Sequence, residues 1–301
     1  MSVRRWAMRI ASLNMQNLRL LTEGGAHLYG ARDRDDIEDP ALDAEDRRLS
    51  AELLARTGAD VIALQEVFDQ QSLDFFHDHW LARICAPYPY RVCLPGNDGR
   101  GLDVAVMARR PWDTVISHAA LMPGDLGLAV PEGGDPAMPV FRRDCLELRF
   151  GALTLFVVHF KAPYPDADRA WAVRRLEAQA ATRLVQGAGA LWLVVGDLNE
   201  PEGAERAVAP LEALGENLML RVPQAQRWTY FETHDQRYDA PDGMIASPGL
   251  AARYPQVVPQ VLKCGMGRET GRYHGARLVG TGVHRPHASD HAALVVEFPE
   301  L

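Results

Sequence analysis

The chain has 301 residues, 47% of them hydrophobic, enough for a large core in one big domain or two ordinary ones. Its 32 basic and 40 acidic residues leave a formal charge of −8. Net acidity removes the general pull on polyanions and argues against a nucleic-acid packaging protein. It does not exclude a nuclease, because a few placed cations and a bound metal reverse the sign locally.

The first predicted strand, Arg9 to Leu13, breaks into the amides Asn14, Gln16 and Asn17. Helical periodicity runs from Ala44 to Thr57 through Leu49, Leu53 and Leu54, with Gly58 as a stop. A strand from Asp60 to Leu64 follows and ends at Gln65-Glu66. "YRVCL" and "DVAVMAR" read as two strands separated by the turn "PGNDGRG". The Gly- and Pro-rich stretch Leu121 to Phe141 reads as a long surface excursion of the kind that serves binding.

"CLELRFGALTLFVVHFKAP" reads as a hairpin turning at Gly151, with His159 and Lys161 ending its second strand. A helix from Asp168 to about Gln186 turns Trp171, Leu176 and Leu184 inward. "LWLVVGDLNEPEG" then drives an apolar strand into Gly196-Asp197-Leu198-Asn199-Glu200. A short strand follows Asp242, and a closing strand follows Asp290-His291. Strands outnumber helices and many are joined by short turns, so much of the sheet is antiparallel. Two packed sheets with helices outside are expected, in one domain over 1–301, since no linker, charge block or repeat divides the chain.

Cys85, Cys93, Cys145 and Cys264 show neither metal-type spacing nor a disulfide framework, although Cys85 and Cys93 are close enough to bridge. "MSVRRWAMRIASL" lacks an apolar signal core, and no segment is long enough to span a bilayer. A soluble, cytoplasmic monomer without an obligate protein partner is expected.

Polar groups thus recur where apolar strands stop: Asn14, Glu66, His159, Asp197, Asn199, Asp242, Asp290 and His291. Any one has a bland explanation, a solvated carboxylate, a turn amide or a structural histidine. Independent loops would not all repeat the pattern. The blocks "IASLNMQNL", "DVIALQEV", "LFVVHFKA", "VVGDLNEP", "PDGMIAS" and "ASDHAAL" resemble, in order, the signature blocks of the endonuclease/exonuclease/phosphatase superfamily, along nearly the whole chain.

That resemblance implies a DNase I-like α/β sandwich of four layers: two mostly antiparallel sheets between helices. It also implies a Mg²⁺-dependent phosphoesterase, with Mn²⁺ as the alternative ion. Glu66 matches the principal metal carboxylate and Asp290 a supplementary ligand. Asn14 would hold the metal or a phosphate oxygen. Asp197 matches the group that aligns or deprotonates water, and Asn199 the amide that steadies phosphate. Asp242 and His291 match a carboxylate–imidazole pair, and His159 a second group near the phosphate.

Arg100, in "GNDGRGLDVAVMAR", resembles the bacterial nuclease-like branch. Arg100 and Lys161 are weaker candidates for phosphate contact, and Asp103 reads as structural. The His284, His287, His291 spacing is set aside as a soft-metal site because the family match already accounts for His291. The acidic run from Ala31 to Asp46 reads as a solvated loop or as a rim repelling polyanions. Arg268, Arg272, Arg277 and Arg285 are expected to form a cationic rim beside the site. A nuclease-like phosphodiesterase leads. A hydrolase of small or lipid phosphoesters, such as sphingomyelin or inositol lipids, is second, and a retired binding module third.

Overall fold

The structure is a computed structural model that describes residues 7–23, 25–33, 35–201 and 205–301. Part of the amino-terminal stretch read for a signal core lies outside them. Two six-stranded sheets form the centre. The first runs in the order Gln260–Leu262, Ala293–Phe298, Met8–Leu18, Val61–Val67, Asp103–Ala108, Tyr90–Cys93. The second runs Glu216–Asn217, Asp242–Ala246, Leu191–Asp197, Leu153–His159, Cys145–Phe150, Thr114–Ile116. Each is antiparallel except for one parallel pair at its middle: Met8–Leu18 with Val61–Val67, and Leu153–His159 with Leu191–Asp197.

Alternation along these strands makes the layers. Val61 and Ala63 face the second sheet, where Leu155, Val157, Leu193 and Val195 meet them. Ile62 and Leu64 point the other way, onto the helix Pro40–Thr57 and its neighbour Gln70–His79. Phe156, Val158 and Val194 likewise face the helix Ala167–Gln186. Both faces of the central strands are buried, so they read as unbroken apolar runs. The four-layer α/β sandwich is as expected.

The first helix begins at Pro40, earlier than Ala44, because Asp39 caps it: its carboxylate accepts from the N–H groups of Ala41 and Leu42. Gly58 ends it in the left-handed region, φ 60°. The helix Gln70–His79, capped by Asp69, has no counterpart in the sequence reading. In the third helix Leu176 is buried, whereas Trp171 and Leu184 are half-exposed and Trp171 donates to the Glu205 carbonyl. The excursion 121–141 packs Leu121, Leu126 and Phe141 onto the outer face of the second sheet. All four cysteines are free, so the Cys85–Cys93 bridge is not formed. Among the described residues no helix is long and apolar enough to cross a membrane.

Candidate active site

The carboxyl ends of both parallel pairs reach the same edge of the sandwich. In the second sheet Asp197 is level with His159 on one side and Asp242 on the other. In the first sheet Asn14 is level with Gln65, and the register then slips at bulges in both strands. The bulged segments hold Gln16, Asn17 and Glu66 at φ 45°, 64° and 59°, and Asn199 stands at 49° in the opposite sheet. Non-glycine residues persist in this region only where their surroundings over-determine them. The bulge at Glu66 swings its carboxylate out of the pleat into the opening between the sheets.

These ends enclose a cleft of about 200 Å³ lined by Asn14, Glu66, Arg100, His159, Asp197, Asn199, Asp290 and His291, among others. Asp197 is its hub. Its Oδ2 accepts from Asn14 Nδ2 at 3.1 Å and lies 3.5 Å from His159 Nε2 and 4.0 Å from His291 Nε2. Its Oδ1 accepts from the Asn199 N–H at 2.8 Å. Asp242 stands behind the cleft wall, its Oδ2 2.8 Å from His291 Nδ1.

Neighbouring charges set the two buried imidazoles apart. His159 is held well below the usual histidine range by loss of water and by the Arg143 and His291 charges, so it is neutral. Burial would lower His291 as well, but Asp242, Asp290 and Asp197 carry it well above that range. Asp197 is pushed up to about 6, mainly by burial. Asp197, Asp242 and His291 are spaced closely enough to hold an ion.

Glu66 Oε1 accepts from Asn14 Nδ2 at 3.3 Å and Oε2 from the Asn17 N–H at 3.1 Å. Asp290 lines the same wall, and burial with the Asp33 and Glu66 charges pushes it up to about 7. Two carboxylates on one cleft lining are oxygen donors of the kind that a hard divalent cation takes. Asn14 departs from expectation here. Its Oδ1 accepts from the Gln16 N–H at 3.0 Å, so the amide turns nitrogen, not oxygen, toward Glu66 and Asp197. In this orientation Asn14 donates to both carboxylates while its oxygen is engaged by Gln16.

Arg100 lines the cleft but is held at 3.0 and 2.8 Å by Asp98, which also pairs with Arg143 at 3.0 Å. The Lys161 ammonium is tied to the carbonyls of Ala162 and Tyr164 and does not line the cleft. Asp103 is buried and accepts from the Gly96 N–H, a structural place. Of the expected cationic rim, Arg268 and Arg272 stay exposed. Arg277 donates to three backbone carbonyls, and Arg285 is spent on Asp43 and Asp46. His284 pairs with Asp36 and His287 with Gln16, so the three histidines do not converge on one ion. Asp33 and Asp36 of the acidic run reach the site's edge through Gln16 and His284.

Sequence reasoning missed Arg143, Tyr230 and Arg237 in the lining. Arg143 is 4% exposed and donates to the Phe160 carbonyl, which also accepts from Asn199. The "FRRDC" run just before a strand was the available signal. Tyr230 stacks at a tilt on His291, ring centres 4.9 Å apart, from a hairpin of Tyr230–Glu232 and Arg237–Asp239 too short to show periodicity.

The solved structures similar to this chain share its fold. Truncated TDP2 from Caenorhabditis elegans is 14% identical, with TM-score 0.58 and 97% of each chain covered. TDP2 from D. rerio, complexed with a single-strand DNA product, is 16% identical, with TM-score 0.59 over 97% of this chain and 98% of that one. A family protein from Leptotrichia buccalis is 12% identical, with TM-score 0.60 over 96% and 98%. No curated protein matches the sequence. The model of the Endonuclease/Exonuclease/phosphatase family matches residues 11–263, so this chain belongs to that family.

Proposed function

We propose that the chain is a divalent-metal-dependent phosphodiesterase acting on nucleic acid, with residues 1–301 as one catalytic domain. The observation that carries this reading is the convergence of Asn14, His159 and His291 on the single oxygen Asp197 Oδ2, 3.1 to 4.0 Å away. A carboxylate raised to about 6 by burial takes a proton from water near neutral pH better than an ordinary one. Asn14 and the Asn199 N–H fix its direction. His291, kept protonated by Asp242, gives a proton to the departing oxygen or steadies charge there. His159, neutral, offers a hydrogen bond to phosphate, and the Asn199 side chain steadies another oxygen.

Glu66 and Asp290 would hold Mg²⁺ or Mn²⁺, which when bound neutralises charge on a phosphoryl oxygen. Arg143 and Arg100 line the cleft as cations that share Asp98. The relative crystallised with a single-strand DNA product supports nucleic acid as substrate. A second reading, a small or lipid phosphoester, is favoured by Glu232, an acid in the lining that repels a long polyanion, whereas Asp239 beside it is paired with Arg237.

The test is hydrolysis of DNA, RNA, bis-p-nitrophenyl phosphate, inositol phosphates and sphingomyelin with Mg²⁺, Mn²⁺ or EDTA, using Asp197→Ala as blank. Metal-dependent cleavage of nucleic acid, absent in the blank, supports the first reading. Turnover confined to small or lipid esters selects the second.

A further inference from the structure

Gln16 meets both sides of the wall where Glu66 and Asp290 stand. It is 3% exposed and takes φ 45°, a left-handed conformation uncommon for glutamine. That turn aims its N–H at Asn14 Oδ1, 3.0 Å away. With the oxygen engaged, Asn14 Nδ2 is left for Asp197 and Glu66 at 3.1 and 3.3 Å. A flipped Asn14 amide would set its oxygen against two carboxylates, with no donor to offset the repulsion.

The Gln16 side chain does the same for the other side. Its Oε1 accepts from the Asp290 N–H at 3.0 Å and lies 2.8 Å from His287 Nε2, while its Nε2 donates to Asp33 at 3.2 Å. Three partners leave this amide one orientation. Behind it, the fully buried Arg47 donates to the carbonyls of Gln16 and Met15 at 2.8 and 2.6 Å, and to those of Tyr29 and Gly30. One residue therefore ties the amide beside Glu66 to the backbone that carries Asp290.

We propose that Gln16 is a positioning residue: it sets the direction of Asn14 and the place of Asp290, and so the spacing of the carboxylates that would hold the metal. The proposal rests on reading Glu66 and Asp290 as metal-holding groups. Residues that orient such ligands change metal affinity or activity by about 10–100-fold when replaced. Gln16→Leu keeps the size but leaves the Asp290 N–H and His287 without their acceptor. Gln16→Glu keeps the acceptor for the Asp290 N–H but gives up the donation to Asp33.

The experiment compares wild type, Gln16→Leu and Gln16→Glu in the full chain. It reads Mn²⁺ affinity by calorimetry, steady-state kinetics on bis-p-nitrophenyl phosphate, and hydrogen exchange at the Asp290 amide without metal. For Gln16→Leu we expect Mn²⁺ affinity and kcat each about 10–100-fold lower with KM nearly unchanged, and faster Asp290 exchange with cooperative unfolding retained. Gln16→Glu should recover most of the exchange protection. Unchanged Asp290 exchange and unchanged kcat in a folded Gln16→Leu protein would overturn the proposal, as would Asp290 exchange as fast in Gln16→Glu as in Gln16→Leu. If wild type itself binds no Mn²⁺ and ignores EDTA, the metal reading fails, and exchange with kcat still decides the role of Gln16.

Discussion

His291 stands between two carboxylates from the opposite sheet: Asp242 Oδ2 lies 2.8 Å from its Nδ1, and Asp197 Oδ2 lies 4.0 Å from its Nε2. The first contact raises the ring's proton affinity, and the second faces the cleft. Replacing Asp242 by Asn removes a charge that holds the imidazolium. The His291 pKa then falls, so the alkaline limb of the kcat profile moves to lower pH, with kcat about 10²-fold down. A limb that stays in place would show that His291 is not the proton donor.

Glu66→Gln keeps the shape but removes the charge and one of the two acceptor oxygens of this side chain. Activity at fixed Mg²⁺ should fall about 10²-fold and recover partly at high Mg²⁺. A metal titration of the rate that superimposes on wild type would remove Glu66 from the ion site.

Gly196 tests the turn into Asp197. Its φ is 143°, and an added Cβ would lie 2.0 Å from the Val158 carbonyl oxygen, a backbone atom of the paired strand. Gly196→Ala should cost about 3 kcal/mol or more, because strain and overpacking add. The midpoint of urea unfolding reports it.

His287 is buried, and loss of water with the nearby cations lowers it from 6.5 to about 3. The unfolded chain therefore binds more protons between those values, so this contribution to stability is present above pH 6.5 and lost as pH falls toward 3. Asp46, raised to about 6 by burial, acts in the opposite direction, so the difference between wild type and His287→Phe is the quantity to read. Urea midpoints at pH 7 and pH 4 should fall further in wild type than in the variant.

Arg100 keeps an exposed guanidinium in the cleft although Asp98 holds it. Arg100→Ala should reduce the slope of log affinity against log salt by about one for an oligonucleotide, leaving turnover of a small diester nearly unchanged. An unaltered slope would place Arg100 outside the phosphate path.

The fold was legible because its central strands are apolar on both faces and end in chemistry. "LWLVVGDLN" and "LFVVHF" announce both the strand and the residue at its tip. The helix Gln70–His79 was not, since its apolar residues are few and its cap, Asp69, follows directly on a strand end. Repetition along the chain singled out eight strand-end groups, and the family resemblance implied that they share one site. Which atom of Asn14 faces Glu66, and where Arg143 goes, depends on left-handed residues and buried hydrogen bonds that have no period in the sequence. Arg277 and Arg285 show the reverse failure: a run of cations looked like a surface until backbone carbonyls and Asp46 claimed two of them.

Each sheet brings its own parallel pair to the same edge. The first contributes Glu66 and Asn14, the second Asp197 and Asp242. Neither sheet holds a working set, and contact across the gap is made by Asn14 to Asp197 and by His291 to Asp242. Turnover is therefore a ruler for the distance between the sheets. A substitution in the apolar layer between them, at Ala63 or Val195 for instance, can slide one sheet along the other by a fraction of a bond length. Such a protein would remain folded to every bulk probe while the two halves of its chemistry no longer met.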